Sequence, residues 1–299
     1  MRSIKTFLLS LLLVIVPNLA FTKEVNLLTS IKPLQLIAAA IQKDIGNPDV
    51  LLPVGVSPHH YALRPADIQK IQEADLFYWI GPDMEIFLIK TVANRKKPTI
   101  AIQGLATIKL RHFGDNNENQ DEHDHDHQLG SLDPHLWLSP VNAKAIAEQM
   151  AADLIALDPS NSKQYEQNLN QFLTDLAVTD KTIHHYFAKV NLKPFFVFHE
   201  TYDYFEDAYQ IKHAGVFNIS AGVQPGLKHV AEMRKRLQQV GNSCVFYEPP
   251  VKPKLSDTLT HGTEAKVFML DAMGADIEVA ANGYLQLLDK LAKGVLACQ

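Results

Sequence analysis

The pattern of apolar and polar positions divides the chain into short apolar runs that alternate with longer amphipathic segments. From Val25 the apolar runs include "VNLL", "VLLPV", "LFYWI" and "TIAI", and helical stretches such as "PLQLIAAAIQKDIG" lie between them. Continuous apolar runs of this length, separated by amphipathic helices, are typical of parallel strands that are covered on both faces. The pattern therefore predicts an α/β fold for this half of the chain.

A different pattern covers residues 141–190, where apolar residues recur at helical spacing with one interruption at "LDPSN". Asp158 and Pro159 end the first helix at this interruption. A second helix of about 30 residues would span about 45 Å, which is longer than one small domain needs. We therefore predict that residues 159–190 form a rigid helix connecting two lobes.

After Pro194 the alternation resumes, with the apolar runs "FFVF", "CVFY" and "KVFML" between amphipathic stretches. The predicted fold class is thus α/β, with two parallel-sheet lobes joined by a long rigid helix. The predicted organisation is a signal peptide over 1–22, an N-terminal lobe over 23–158, the connecting helix over 159–190 and a C-terminal lobe over 191–299.

The first residues have the order of a secretory signal peptide. Arg2 and Lys5 precede an apolar run from Phe7 to Val16, and the small residue Ala20 follows. The run is about ten residues long, whereas a membrane span needs about 20. No cysteine follows the run to carry a lipid anchor, so we expect a mature protein that is free in an oxidising compartment.

Two cysteines, Cys244 and Cys298, are present in the whole sequence. An even pair in an exported protein predicts a disulfide, with two buried free thiols as the alternative. The bond would close a loop of about 55 residues, for which the chain-entropy model gives about 4 kcal/mol of stabilisation. We therefore predict that the C-terminus is tied back to the "CVFY" segment.

Charge and histidine placement point to a cation as the ligand. The formal charge of −5 leaves no basic excess to attract nucleic acid. The candidate ligands share one position, the point where a predicted strand ends: His59 or His60, His135, His199 and Asp271. Because loops converge at the carboxyl ends of parallel strands, these side chains are expected to meet. Imidazoles with one carboxylate suit Zn²⁺ in tetrahedral geometry.

Simpler roles remain open for each candidate. A histidine at a strand end is often a polar residue whose hydrogen bonds go to the backbone. His60 cannot point in the same direction as His59, so at most one of the two would bind the ion. Asp271, in "LDAMG", could equally cap the turn after its strand.

Five motifs carry a resemblance to a known family. They are "SPHHYALRPADIQKIQEADLFYWIGPDME", "DPHLWLSP", "FFVFHETYDYFE", "CVFYEPP" and "LDAMG". In this order behind a signal peptide, they resemble the zinc-specific metal receptors of bacterial ABC importers, the ZnuA type, over nearly all of the mature chain. The resemblance implies a monomeric periplasmic receptor that binds zinc in the cleft between its lobes and delivers it to a membrane permease.

The ligands that the resemblance implies are His59 in its Pro-His-x-Tyr pattern, His135, His199 and Asp271. A histidine at position 199 favours zinc, since manganese-binding relatives tend to have a glutamate there. Pro58 stands where some zinc members have an acidic residue, and it has no donor atom. The fourth ligand is therefore left open among Asp271, a water molecule and His60.

The segment "GDNNENQDEHDHDHQ" (114–128) alternates histidines with acidic residues. It has too little apolar content to fold on its own, which predicts a disordered loop. Its histidines are His123, His125 and His127, and they offer several weak and interchangeable zinc sites. The resemblance adds that zinc receptors often carry such a loop beside the cleft. A solvated linker that binds zinc only incidentally is the alternative.

Two other functions stay open at this point. A zinc hydrolase would use three histidines and an open position to activate water, but "HETYD" lacks the second histidine of H-E-x-x-H and leaves Glu200 as the one nearby base. A metal-binding adhesin with the same fold is the other alternative, and the missing anchor cysteine argues against it.

The aromatic residues around the motifs are expected to pack the cleft rather than to touch the ion. They are Tyr61, Trp137, Tyr202 and Tyr204. A tyrosine hydroxyl is one candidate for orienting an imidazole through its second nitrogen, and Glu200 and Arg64 are others.

Overall fold

A computed structural model gives the structure of residues 24–114, 130–217, 226–249 and 254–299. The predicted signal peptide lies outside these described residues. So do His123, His125 and His127 of the acidic loop, and both predictions stand as they were made from the sequence.

Short strands and longer helices alternate in the described residues, as the apolar pattern predicts. The strands are β1 (Leu27–Thr29), β2 (Asp49–Val50), β3 (Leu76–Trp79), β4 (Thr99–Ala101), β5 (Phe195–Val197), β6 (Gly215–Val216), β7 (Cys244–Tyr247) and β8 (Lys266–Met269). The α-helices are α1 (Lys32–Ile41), α2 (Pro65–Glu73), α3 (Ile89–Ala93), α4 (Pro140–Leu157), α5 (Ser162–Phe187), α6 (Asp203–Tyr209), α7 (Leu227–Val240), α8 (Lys254–Thr260) and α9 (Gly283–Leu296).

The strands form two parallel sheets with equivalent connections. The first sheet has the order β2-β1-β3-β4 and the second has the order β6-β5-β7-β8. Of the four inner strands, β1, β3 and β5 are buried along their whole length and β7 along its first three residues, which explains their unbroken apolar runs. The predicted fold class, two α/β lobes with parallel sheets, is confirmed.

In the sequence, the long helix α5 lies between the last strand of the first sheet and the first strand of the second. It begins at Ser162 and ends at Phe187, and its 26 residues span about 40 Å. The buried positions on it recur at helical spacing: Tyr165, Asn168, Phe172, Leu176, Ile183 and Phe187. The helix is shorter than the predicted 159–190, because a separate 3-10 turn occupies Pro159–Asn161 and the chain leaves the helix after Phe187.

The two halves share one apolar core. It contains residues from both sheets, for example Phe77 of the first and Phe246 of the second. The last helix, α9, packs against α1 and α5. The approach is close, since a Cβ at Gly283 would lie 2.7 Å from Leu36 Cδ2. Packing of this kind resists wide separation of the lobes.

Cys244 and Cys298 form the predicted disulfide, with their Cα atoms 6.1 Å apart. The bond joins the first residue of β7 to the segment just after α9. Both residues are buried, so the bond lies in the interior. Within the described part of the chain, every helix is too short or too polar to cross a lipid bilayer.

Candidate metal centre

Three histidines from distant parts of the sequence meet between the two sheets. His59 lies in the loop between β2 and α2, His135 directly precedes a 3-10 turn at Leu136–Leu138, and His199 follows β5 after one residue. One ring nitrogen from each lies within 4.8 Å of the others. A loop that follows a strand of the first sheet and a loop that follows a strand of the second therefore each place a histidine in this group.

The distances among the imidazoles are those of metal ligands. The three ring centroids are 5.2–5.3 Å apart, and Nε2 of His59 lies 3.3 Å from Nε2 of His135. Two nitrogens that each bind a tetrahedral zinc ion at 2.0–2.1 Å are separated by about 3.3–3.4 Å. The arrangement thus has the spacing needed to hold one ion.

Asp133 orients the most buried of the three imidazoles. His135 is 1% exposed, and its Nδ1 lies 2.8 Å from Oδ1 of Asp133, which is fully buried. Because a carboxylate only accepts hydrogen bonds, Nδ1 carries the proton and Nε2 keeps its lone pair for the centre. The same carboxylate oxygen accepts from the backbone N–H of His135 at 3.0 Å. A 3-10 helix begins directly after His135, so the prediction of a strand ending at His135 is wrong.

A threonine and a glutamate perform the same task for His199. Oγ1 of Thr201 lies 2.7 Å from Nδ1 of His199 and donates its own proton to Oε1 of Glu248, also at 2.7 Å. The hydroxyl must therefore accept from Nδ1–H, which leaves Nε2 of His199 unprotonated. Burial raises the pKa of Glu248, but the nearby imidazole of His199, whose Nδ1 lies 3.8 Å away, and the hydrogen bond from Thr201 outweigh this and hold the pKa below its usual range.

The structure does not bring Asp271 or His60 into this group. The carboxylate of Asp271 accepts from the backbone N–H groups of Met273, Gly274 and Ala275 at 2.6–3.0 Å, and so caps the turn after β8. His60 is exposed, with its ring centroid 6.4 Å from that of His59. The assignment of a fourth ligand to either residue stays a prediction.

The aromatic side chains pack around the centre or bond to the backbone. Trp137 contacts the ring of His135 edge to face, and its indole N–H donates to the carbonyl of Ala272. Tyr202 Oη donates to the carbonyl of Leu270 at 2.6 Å. The residues that orient the imidazoles are instead an aspartate and a threonine. The Asp-x-His spacing in "LDPHLWL" was the signal that could have identified the first of them.

Arg111 forms ion pairs that link residues of the two lobes next to the three histidines. Its guanidinium pairs with Asp133 beside the first sheet, and with Asp203 and Asp207 on α6. Its backbone N–H donates to Tyr204 Oη at 2.9 Å. Although burial lowers the pKa of Arg111, the surrounding carboxylates raise it above its ordinary value. Arg111 therefore stays charged and fixes Asp133 in place behind His135.

Asp133→Asn is expected to weaken zinc binding about 10–100-fold, the usual cost of changing a residue that orients a metal ligand. The amide keeps the shape of the side chain. It removes the negative charge that makes Nε2 of His135 a stronger electron-pair donor to zinc. Chelator competition on the purified protein measures the change. Asp153→Asn is the matched control, since Asp153 accepts a hydrogen bond from Tyr78 outside this centre. Equal affinities in the two variants would remove the orienting role from Asp133.

Comparisons with known proteins agree on one family. The family described as ZnuA, the periplasmic component A of the zinc-uptake complex, matches residues 27–298. The high-affinity zinc uptake system protein ZnuA of Yersinia pestis is 34% identical, over 90% of each chain. The protein of the same name from Haemophilus ducreyi is 35% identical, over 91% of this chain and 93% of its own.

A solved structure supports the same relationship. The crystal structure of a ZnuA protein superposes with a TM-score of 0.73 and 25% sequence identity. The match covers 91% of this chain and 99% of the other. The likeness therefore extends over both lobes and the helix between them.

Proposed function

Because this chain belongs to the ZnuA family of periplasmic zinc-uptake components, we propose that His59, His135 and His199 are the ligands by which it captures zinc for an ABC-type permease. The observation that carries the proposal is the convergence of the three imidazoles, with 3.3 Å between Nε2 of His59 and Nε2 of His135. Neutral imidazoles favour Zn²⁺ over harder ions such as Mg²⁺ and Ca²⁺.

We propose that a water molecule is the fourth ligand of the zinc ion. The carboxylate oxygens of Asp271 already accept three backbone hydrogen bonds, and moving them would leave those N–H groups without partners. Two other carboxylates, Asp133 and Glu248, lie behind the imidazoles and offset the charge of the ion. Zinc would thus be bound firmly while the protein supplies only three direct ligands.

The function is transport and not catalysis. The family is a solute-binding component of a transporter, so neither the hydrolase nor the adhesin alternative is favoured. For this chain we propose release into the periplasm by the predicted signal peptide and action as a monomer. The permease would engage both lobes, since the ligands come from loops of both.

A zinc titration by chelator competition at neutral pH tests the proposal. It compares the intact protein with a variant that lacks residues 115–127, the region of the acidic loop and its three histidines. Tight binding of zinc is expected to survive the deletion, because the three converging histidines lie outside the deleted range. If tight binding disappears with the loop, the histidine centre is not the capture site.

A further inference from the structure

A short turn carries the chain from the second sheet back to the first lobe. This interlobe turn comprises residues 270–275, directly after β8, and it leads to α9, which packs against α1 and α5. Leu270, Ala272 and Gly274 of the turn are buried. The chain passes between the lobes here as well as through α5, so the stiffness of the turn affects how far the lobes can separate.

Two side chains of the N-terminal lobe donate to carbonyl groups of the interlobe turn. Nε1 of Trp137 donates to the carbonyl of Ala272 at 3.0 Å. Nζ of Lys32, the first residue of α1, donates to the carbonyl of Ala275 at 3.1 Å. Trp137 is buried, whereas Lys32 is partly exposed. The turn is therefore fixed to the first lobe at two points.

Asp271 and Gly274 make the interlobe turn rigid. The carboxylate of Asp271 accepts from the backbone N–H groups of residues 273–275 at 2.6–3.0 Å. Gly274 has a φ of +65°, in the left-handed region that favours glycine. A Cβ at this position would also lie 3.0 Å from Cδ1 of Ile277. The "LDAMG" motif thus builds a rigid connection whose carbonyl groups remain available to donors of the other lobe.

Trp137 also links the interlobe turn to the zinc ligands. Its ring packs against the imidazole of His135, with 5.5 Å between the ring centroids. His59 and His135 belong to the N-terminal lobe and His199 to the C-terminal lobe. Because a Zn–N bond reaches only about 2.0–2.1 Å, zinc leaves when these imidazoles separate. Contacts that resist separation of the lobes therefore slow the release of zinc.

We propose that Lys32 is a positioning residue for zinc retention: by binding the carbonyl of Ala275 it keeps the interlobe turn against the first lobe and slows zinc release. The proposal rests on the function proposed above, because it concerns the same ion. Loss of a hydrogen bond from a charged donor is expected to speed release about tenfold. Affinity should fall by a similar factor, since such changes act mainly on dissociation.

The test measures the rate at which the zinc-loaded, intact protein releases its tightly bound zinc into excess chelator, by stopped-flow absorbance. Lys32→Met removes the donor but keeps a long side chain, and should speed release about tenfold. Lys32→Arg keeps a donor and should restore most of the parent rate. The matched control is Lys70→Met, since Lys70 donates to the carbonyl of Val50 within one lobe, at 2.8 Å. It should leave the rate unchanged.

A second pair of variants tests the interlobe turn without changing Lys32. Gly274→Ala strains the turn and should also speed release. Gly262→Ala is its control, because Gly262 has a φ of +74° but precedes β8, and a Cβ there would meet no atom within 4 Å. It should leave the release rate unchanged.

The possible failures are distinguishable. Urea unfolding of the zinc-free variants separates positioning from a structural role, since a lower unfolding midpoint with an unchanged release rate would contradict the proposal. If the parent protein holds no zinc tightly, the proposed function and this inference both fail. If the parent releases zinc slowly and Lys32→Met and Gly274→Ala match their controls, this inference alone is overturned.

Discussion

Replacing His135 by alanine is expected to lower the affinity for zinc by more than about 100-fold. Changing a residue that only orients a ligand costs about 10–100-fold, and the loss of a ligand costs more. His135 is the most buried of the three imidazoles, so water replaces it poorly. Chelator competition at neutral pH measures the change. The control is His60→Ala, at the exposed histidine next to His59, and it should retain the affinity of the parent protein.

The same titration examines the other two positions. His199→Ala should also reduce affinity more than about 100-fold, and its side chain is 21% exposed, so the fold is less disturbed than by a change at His135. Asp271→Asn should leave affinity near that of the parent. A large loss of affinity in Asp271→Asn would mean that its carboxylate, and not water, is the fourth zinc ligand. A large loss in His60→Ala would mean that His60 is a zinc ligand and that the proposed set of three histidines is wrong.

Arg111→Ala is expected to lower the free energy of unfolding of the zinc-free protein by about 3–5 kcal/mol, the cost of leaving buried charges without their partner. The side chain of Arg111 is 13% exposed, and its guanidinium pairs with Asp133 and Asp203, which are both buried. The substitution would also remove the ion pairs between α6 and residue 111, while Tyr204 Oη of α6 would still donate to the carbonyl of Asp133. Urea denaturation followed by circular dichroism measures the change in the unfolding midpoint.

A matched control uses an exposed ion pair of similar chemistry. Lys290 pairs with Asp276 at 2.9 Å, and both side chains are about half exposed or more. Exposed pairs contribute about 0–1 kcal/mol, so Lys290→Ala should shift the midpoint only slightly. Similar shifts in the two variants would mean that Arg111 contributes no more than a surface pair, and the proposed link between the lobes through Arg111 would be wrong.

The sequence by itself determined the order of strands and helices, the fold class, the disulfide and the three histidines that converge. These features depend on local patterns: apolar runs report buried parallel strands, and helical spacing reports the buried face of α5. The cysteine pair admitted one partner for each residue. Their places next to predicted strand ends indicated His135, His199 and one of His59 and His60, and the family's Pro-His-x-Tyr pattern selected His59; the strand predicted at His135 is a 3-10 turn.

Only the tertiary structure decided which side chains surround the histidines. The sequence left Asp271 open between a zinc ligand and a cap of the turn after its strand, and the structure shows its carboxylate accepting from three backbone donors within four residues. Glu248 reaches His199 because β5 and β7 are neighbours in the second sheet. Arg111 joins the carboxylates of two lobes, and such a contact depends on how distant segments pack. A single sequence records which segments are buried, but not the partners that each polar group finds there.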